Sequence, residues 1–299
     1  MTWTCTTGLP RTNDINNHKL TKMETLKTQL RALKLPAMAE GLDMRNRHAL
    51  TNQTTYLEFL ELLVEDETVS RQANGYRNRL RESKLDTQKV LDGYDFTYQP
   101  QLDKRQVYEL ASCRFIEQRH NAVFMGKPGV GKTHLAQAVG LEAIKRGKKV
   151  LFAHTNEMLD RLYASRADGS YQATLQRYLK PDLLILDELG FKKMPQNSME
   201  DFFEIIRRRY ETGSMIITTN RNFEDWGTLF GDRVIASAII DRIVHHAVIV
   251  KLTGPSYRVK NLMELQELYG EGDEQPTKRG RPKKANAEIK KDENETPDS

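Results

Sequence analysis

Gly126-Lys127-Pro128-Gly129-Val130-Gly131-Lys132-Thr133 decides the fold. It stands between an apolar run, Ala122 to Met125, and an amphipathic segment that opens near His134. A G-x-x-x-x-G-K-T sequence in that position lets the backbone bend until successive N–H groups face a phosphate at a helix N-terminus, where the dipole also favours negative charge. The expected phosphate cradle is therefore Gly126 to Thr133 together with His134. Lys132 would reach the β- and γ-phosphates of ATP, and the Thr133 hydroxyl would ligate Mg²⁺.

Outward from that loop the chain alternates short apolar runs with helical stretches. Ala122–Met125, Lys149–Ala153, Leu183–Leu186, Met215–Thr219 and Val248–Leu252 are the candidate strands. Such alternation predicts an α/β fold with a parallel sheet between helices. Two of the strands end in chemistry. Leu183 to Leu186 runs into Asp187-Glu188, and hydrolysis needs both acids: Asp187 to hold the metal shell, Glu188 to activate the attacking water. Met215 to Thr219 runs into Asn220, whose amide both donates and accepts hydrogen bonds and so can position that water. Arg233 and Arg242 each follow an Asp, in Gly231-Asp232-Arg233-Val234 and Ile240-Asp241-Arg242-Ile243. If subunits form a ring or spiral, either could act as an arginine finger on a neighbour's γ-phosphate, and spacing does not choose between them.

Ahead of the loop, residues 1–22 are polar and rich in Thr and Asn without a period of 2 or 3.6. They read as a disordered leader, or as an over-extended start with Met23 the initiator. From Met23 to about Leu91 the pattern is helical. Leu26, Leu30 and Leu33 share one face, Pro36 interrupts, and Met38 and Leu42 continue. A third helix from Tyr56, capped by Thr55, places Leu57, Leu60 and Val64 on one face with Phe59 and Leu63 beside them. Arg71 to Lys84 is a local excess of positive charge. Asp92 to Gln101 has no period and reads as a connector.

The whole chain of 299 residues carries 46 Lys+Arg against 41 Asp+Glu, a surplus of +5, so where the charge lies matters more than its total. No apolar run approaches the length of a bilayer span, and no secretory signal is visible. Cys5 and Cys113 are too few and too far apart for a disulfide framework or a zinc site, which points to a reducing, cytoplasmic setting.

Taken together, these motifs resemble the AAA+ ATPases of the DnaA/DnaC group and most closely the IstB family, ATP-dependent helpers of insertion-sequence transposition. The detailed marks are Leu30-Arg31-Ala32-Leu33-Lys34-Leu35-Pro36, Ala39-Glu40-Gly41-Leu42, Phe115-Ile116, Asn121 to Gly126, Leu186-Asp187-Glu188-Leu189-Gly190, Asp241-Arg242-Ile243 and Gly254-Pro255-Ser256-Tyr257-Arg258. The resemblance covers roughly Met23 to Tyr269. It implies an AAA+ P-loop ATPase domain over 99–269, preceded by a small all-α DNA- or partner-binding domain over 23–98. It favours Arg242 over Arg233 as the finger between subunits, and it implies a ring or helical homo-oligomer. The partners it implies are double-stranded DNA and the transposase encoded in the same element; a DnaC-like replicative helicase loader is the alternative. It gives the basic cluster, with Arg77, Arg79 and Arg81, a role on DNA. Arg161, Arg166, Arg177 and Lys180, in the helices after the second strand, become further phosphate contacts.

The end of the chain departs from the family pattern. Residues 270–299 are expected to be a disordered basic tail. Within it Lys278-Arg279-Gly280-Arg281-Pro282-Lys283-Lys284 looks like an AT-hook, whose Gly-Arg-Pro core would put Arg279 and Arg281 against an A·T minor groove and its phosphates.

Overall fold

The computed structural model describes residues 12–190 and 194–259, with side chains from residue 21 onward. Residues through Tyr257 form one compact unit; a second begins at Arg258, of which only Arg258 and Val259 are described.

Three helices come first: α1 (Thr12–Ala32), α2 (Pro36–Asn52) and α3 (Tyr56–Ser83). Helix α1 starts at Thr12 and not at Met23, so the helix enters the stretch expected to be a disordered leader. That stretch has no apolar stripe, and periodicity gave no sign of it. Pro36 takes the first position of α2, where its missing N–H costs nothing. Thr55 caps α3 in a reciprocal box, its hydroxyl accepting from Glu58 N–H and Glu58 accepting from Thr55 N–H.

The buried face of α3 is not the expected one. Leu57, Leu60 and Val64 are exposed, whereas Leu63 packs with Met38, Leu42 and the partly buried Phe59 and Leu30. Polar contacts select that face. Buried Glu67 accepts from the N–H groups of Ala37 and Met38 at the start of α2, and Arg45 forks onto Asp66 at 2.6 and 2.8 Å.

The second half of α3 leans on the nucleotide-loop half of the chain. Tyr76 and Leu80 pack against a core that also buries Leu85, Leu91 and Phe96, so packing is continuous across residue 98. Helices α4 (Lys104–Ala111) and α5 (Arg114–Glu117) close the underside of that core.

All five expected strands form: β1 (Asn121–Gly126), β2 (Val150–His154), β3 (Leu183–Leu189), β4 (Ser214–Thr219) and β5 (Ala247–Leu252). Every pairing is parallel, in the order β2-β3-β4-β1-β5, which makes this the α/β class expected. Alternation along each strand feeds two cores. Ala122 and Phe124 enter one with α6 (Lys132–Lys145), while Val123 and Met125 enter the other with α7 (Thr155–Ala164), α8 (Tyr171–Leu179), α9 (Gln196–Arg209), α10 (Trp226–Phe230) and α11 (Arg233–Val244). Among the described residues no helix is long and apolar enough to cross a membrane.

Arg209 at the end of α9 is 1% exposed and fastens the second core. Its guanidinium donates to the carbonyls of Tyr178, Leu179, Pro181, Asp182 and Ser214. Burial lowers its pKa to about 10, so it stays charged at neutral pH. Arg209→Met should strand those carbonyls and cost at least about 3 kcal/mol. A urea titration would show it as a lower midpoint with an unchanged slope.

Candidate nucleotide-binding site

Parallel strands deliver their C-terminal ends to one edge of the sheet, and there β1, β3 and β4 bring the expected residues together. Two glycines explain the loop's sequence. Gly129 has φ +81° and a Cβ there would lie 2.1 Å from Ser256 Oγ; Gly131 has φ +98° and a Cβ would lie 2.7 Å from the Tyr94 ring. Any side chain at either position would be strained and would collide.

The loop is braced from two distant segments. Tyr257 N–H donates to Gly129 O at 2.9 Å, and Tyr94 Oη donates to Val130 O at 3.3 Å. Tyr98 Oη donates to Ser256 O, and Gln99 accepts from Gly254 N–H and donates to Pro255 O. Thus the supposed connector at 92–101 and the Gly-Pro-Ser-Tyr segment are the walls of the phosphate loop. Burial raises the Tyr94 phenol to about 12, so it remains a neutral donor. We expect Gly129→Ala to weaken ATP binding at least about tenfold, from strain of roughly 1–3 kcal/mol plus the clash. Adding Ser256→Gly should recover part of that loss, since only the clash is relieved; a fluorescent-nucleotide titration of the three variants measures both effects.

Lys132 opens α6, and its Nζ donates to Lys127 O at 2.8 Å, so the ammonium lies over the loop. Thr133 Oγ1 donates to Asp187 Oδ1 at 2.9 Å. That oxygen also accepts from Thr218 Oγ1 at 2.6 Å, while His154 Nδ1 stands 3.6 Å from Asp187 Oδ2. Thr218 Oγ1 in turn accepts from Glu188 N–H at 3.0 Å. Asp187 is 1% exposed and Glu188 is open to solvent, because the β3–β4 register shifts between Leu186 and Leu189 and Glu188 takes φ +59°. A bulge there re-aims two adjacent carboxylates, one inward and one outward. A buried carboxylate beside a threonine hydroxyl is a hard-oxygen pair that suits Mg²⁺, and Thr133 and Asp187 are the residues that would hold it.

Asn220 follows β4 on the same edge, and its neighbour Thr219 pairs with Leu189 beyond Glu188. His134, next to the loop, has its Nε2 2.9 Å from Val90 O. The finger candidates lie elsewhere. Arg242 is in the last turn of α11, leading into the start of β5; it donates to Ala238 O and sits 5.4 Å over the Phe203 ring. Arg233 begins the same helix and is exposed.

Positive charge gathers beside β2. Lys84, Arg161 and Arg177 line one groove with Glu157 and His154. Burial, then the charges of Arg161 and Arg177, lower the Lys84 pKa. Arg77 and Arg81 are exposed on α3, where they bond Asn74 and Asn78, and Arg79 is half-buried beside Gly75. Arg166 pairs with buried Asp201 and stacks over Tyr171, its own side chain remaining exposed. Arg279 and Arg281 lie outside the described residues.

Thr218, His154 and Tyr94 were not foreseen, whereas Lys84 closes the basic stretch from Arg71 that the sequence singled out. Thr218 and His154 had a signal, a polar residue near the C-terminal end of an apolar strand; Tyr94 had none, since its partner is distant in sequence.

Residues 28–264 match the family described as IstB-like ATP binding protein. The ATP-binding protein of insertion sequence IS5376 from Geobacillus stearothermophilus is 41% identical over 235 residues, which covers 79% of this chain and 93% of that one. The corresponding protein of IS21 from Pseudomonas aeruginosa is 37% identical over 238 residues, 80% of this chain and 90% of its own. Among solved structures, DnaI matches 57% of this chain and 96% of its own at 22% identity, with a TM-score of 0.49.

Proposed function

This chain belongs to the IstB-like ATP-binding proteins, and from that premise we propose that it is a cytoplasmic ATPase of the AAA+ type that assembles on duplex DNA and activates the transposase of its own element. The linked set Thr133, Asp187, Thr218 and Glu188 carries the reading, because it separates a metal-side carboxylate from a solvent-facing base. Bound Mg²⁺ supplies charge neutralisation on the phosphates. Thr133 and Asp187 would hold it; Lys132 binds the phosphates, Glu188 takes the proton from water and Asn220 orients that water.

The DNA arm is supported by the groove of Lys84, Arg161 and Arg177, three cations facing one space against Glu157. Neutralised phosphates make such binding salt-dependent. The relatives are ATP-binding proteins of the insertion sequences IS5376 and IS21, which supports a transposase as the partner.

Arg242 lies in the last turn of α11, before the start of β5, whereas the phosphate loop follows the end of β1; that separation supports its assignment to a neighbour's γ-phosphate. Arg242→Ala should keep ATP binding by the isolated subunit and lose DNA-stimulated turnover by about 10³-fold or more. Mixing it with Lys132→Ala protein should restore part of the activity, since some interfaces then receive both intact halves. Phosphate release from the mixture is the measurement, with Arg233→Ala as the control; recovery confined to Arg233→Ala would move the finger. Assembly on duplex DNA with a non-hydrolysable ATP analogue tests the wider reading, and an assembly that requires a replicative helicase and ignores DNA would favour the loader.

A further inference from the structure

At the edge of the sheet opposite the phosphate loop, three turns converge. Glu211 lies between α9 and β4, His245 and His246 lie between α11 and β5, and His120 precedes β1. One ligand atom from each of Glu211, His245 and His246 lies within 4.8 Å of the other two, and all three residues are exposed.

The turns are fixed from below. Asn121, 5% exposed, accepts from Met215 N–H at 3.0 Å, donates to Ile243 O at 3.1 Å, and its own N–H donates to His246 O at 2.8 Å. One buried amide therefore ties the beginnings of β1, β4 and β5 to the end of α11. Arg119 adds a second tie by donating to the carbonyls of Glu211 and Thr212. Glu211 itself holds φ +57°, a conformation uncommon outside glycine.

His245 has a polar partner and His246 a stacked one. Tyr210 Oη is 3.0 Å from His245 Nδ1, and His120 stacks on His246 with rings 5.0 Å apart and 12° from parallel. A His whose Nδ1–H is given to an oxygen partner presents Nε2 as a lone-pair donor, the arrangement that accompanies metal-ligating histidines.

We propose that Glu211, His245 and His246 form a divalent transition-metal site with an open coordination position, and that Zn²⁺ is the ion it takes most readily among the redox-inert metals. Two imidazoles and a carboxylate are the borderline donor set that selects zinc over magnesium or calcium. Ligand atoms around one Zn²⁺ stand about 3.3 Å apart, given bonds of about 2.0–2.1 Å. The three ligand atoms already lie within 4.8 Å of one another, on exposed side chains. The site is separate from the nucleotide loop, and occupancy would clamp the end of α11, the helix that carries Arg242.

The test uses the untagged full chain, stripped with chelator and returned to buffer with excess Mg²⁺, which occupies oxygen-only sites. Equilibrium dialysis against Zn²⁺ should give one tightly held ion per chain. Co²⁺ substituted for it should show the visible absorption of a low-coordinate site. His245→Ala, His246→Ala and Glu211→Gln should each weaken binding by at least about tenfold. His48→Ala, an exposed histidine on α2, should change nothing, and circular dichroism should confirm that all four variants are folded. Absence of Zn²⁺ binding by the unmodified chain would overturn the proposal, as would equal binding by the two histidine variants and the unmodified chain.

Discussion

Lys132→Ala is expected to lower ATP affinity by about 100-fold or more, the loss of a charge-assisted hydrogen bond worth roughly 1.5–3 kcal/mol together with the loop's own counter-charge. The fold should survive. Lys132 stands at the first position of α6, where alanine is a better helix former, and its Nζ donates to a carbonyl of the loop itself. A nucleotide titration set beside a thermal melt distinguishes a lost site from a lost fold. A variant that still binds ATP as tightly as the unmodified chain would refute the assignment of the phosphate loop.

Glu188→Gln should do the opposite. Its side chain faces solvent at the strand's end, and glutamine keeps the shape and the backbone N–H that Thr218 receives. ATP should bind within about threefold of the unmodified affinity, while turnover falls by about 10²–10⁴, the usual contribution of a general base. Bound nucleotide would then persist, so the DNA-bound assembly should accumulate rather than release. Pulse-chase measurement of bound ATP on duplex DNA reads this directly. Equal loss of affinity in Lys132→Ala and Glu188→Gln would erase the division of labour between them.

Much of this site is written locally in the chain. The phosphate loop, the two acids and the strands that end in them follow from short-range chemistry: glycines where the backbone must turn, and apolar runs where both faces are covered. Residues whose role depends on a partner far along the chain were not legible. Tyr94 reaches Val130 from 36 residues away, and Tyr98 and Gln99 meet Ser256, Gly254 and Pro255 because β5 returns beside β1. The bulge that turns Asp187 inward and Glu188 outward is a property of the β3–β4 pairing and has no mark within β3. The helical face of α3 failed for a similar reason. Leu57, Leu60 and Val64 satisfy a helical period as well as Phe59 and Leu63 do, and the choice was made by Glu67 at the start of α2 and Asp66 on Arg45.

The brace on the phosphate loop has a consequence for the order in which the molecule forms. Tyr98 and Ser256 are 158 residues apart along the chain, and the strand that delivers Ser256 is the last of the sheet. Contacts of such long separation form late, and during synthesis a chain acquires structure from its N-terminus first. A nascent chain that has already exposed Gly126 to Thr133 and both acids still lacks β5, Ser256 and Tyr257, so its loop has the Tyr94 wall but not the second one. Full bracing of the phosphate loop therefore has to wait for β5 to join the sheet, and nucleotide bound before that would meet a loop held from one side only.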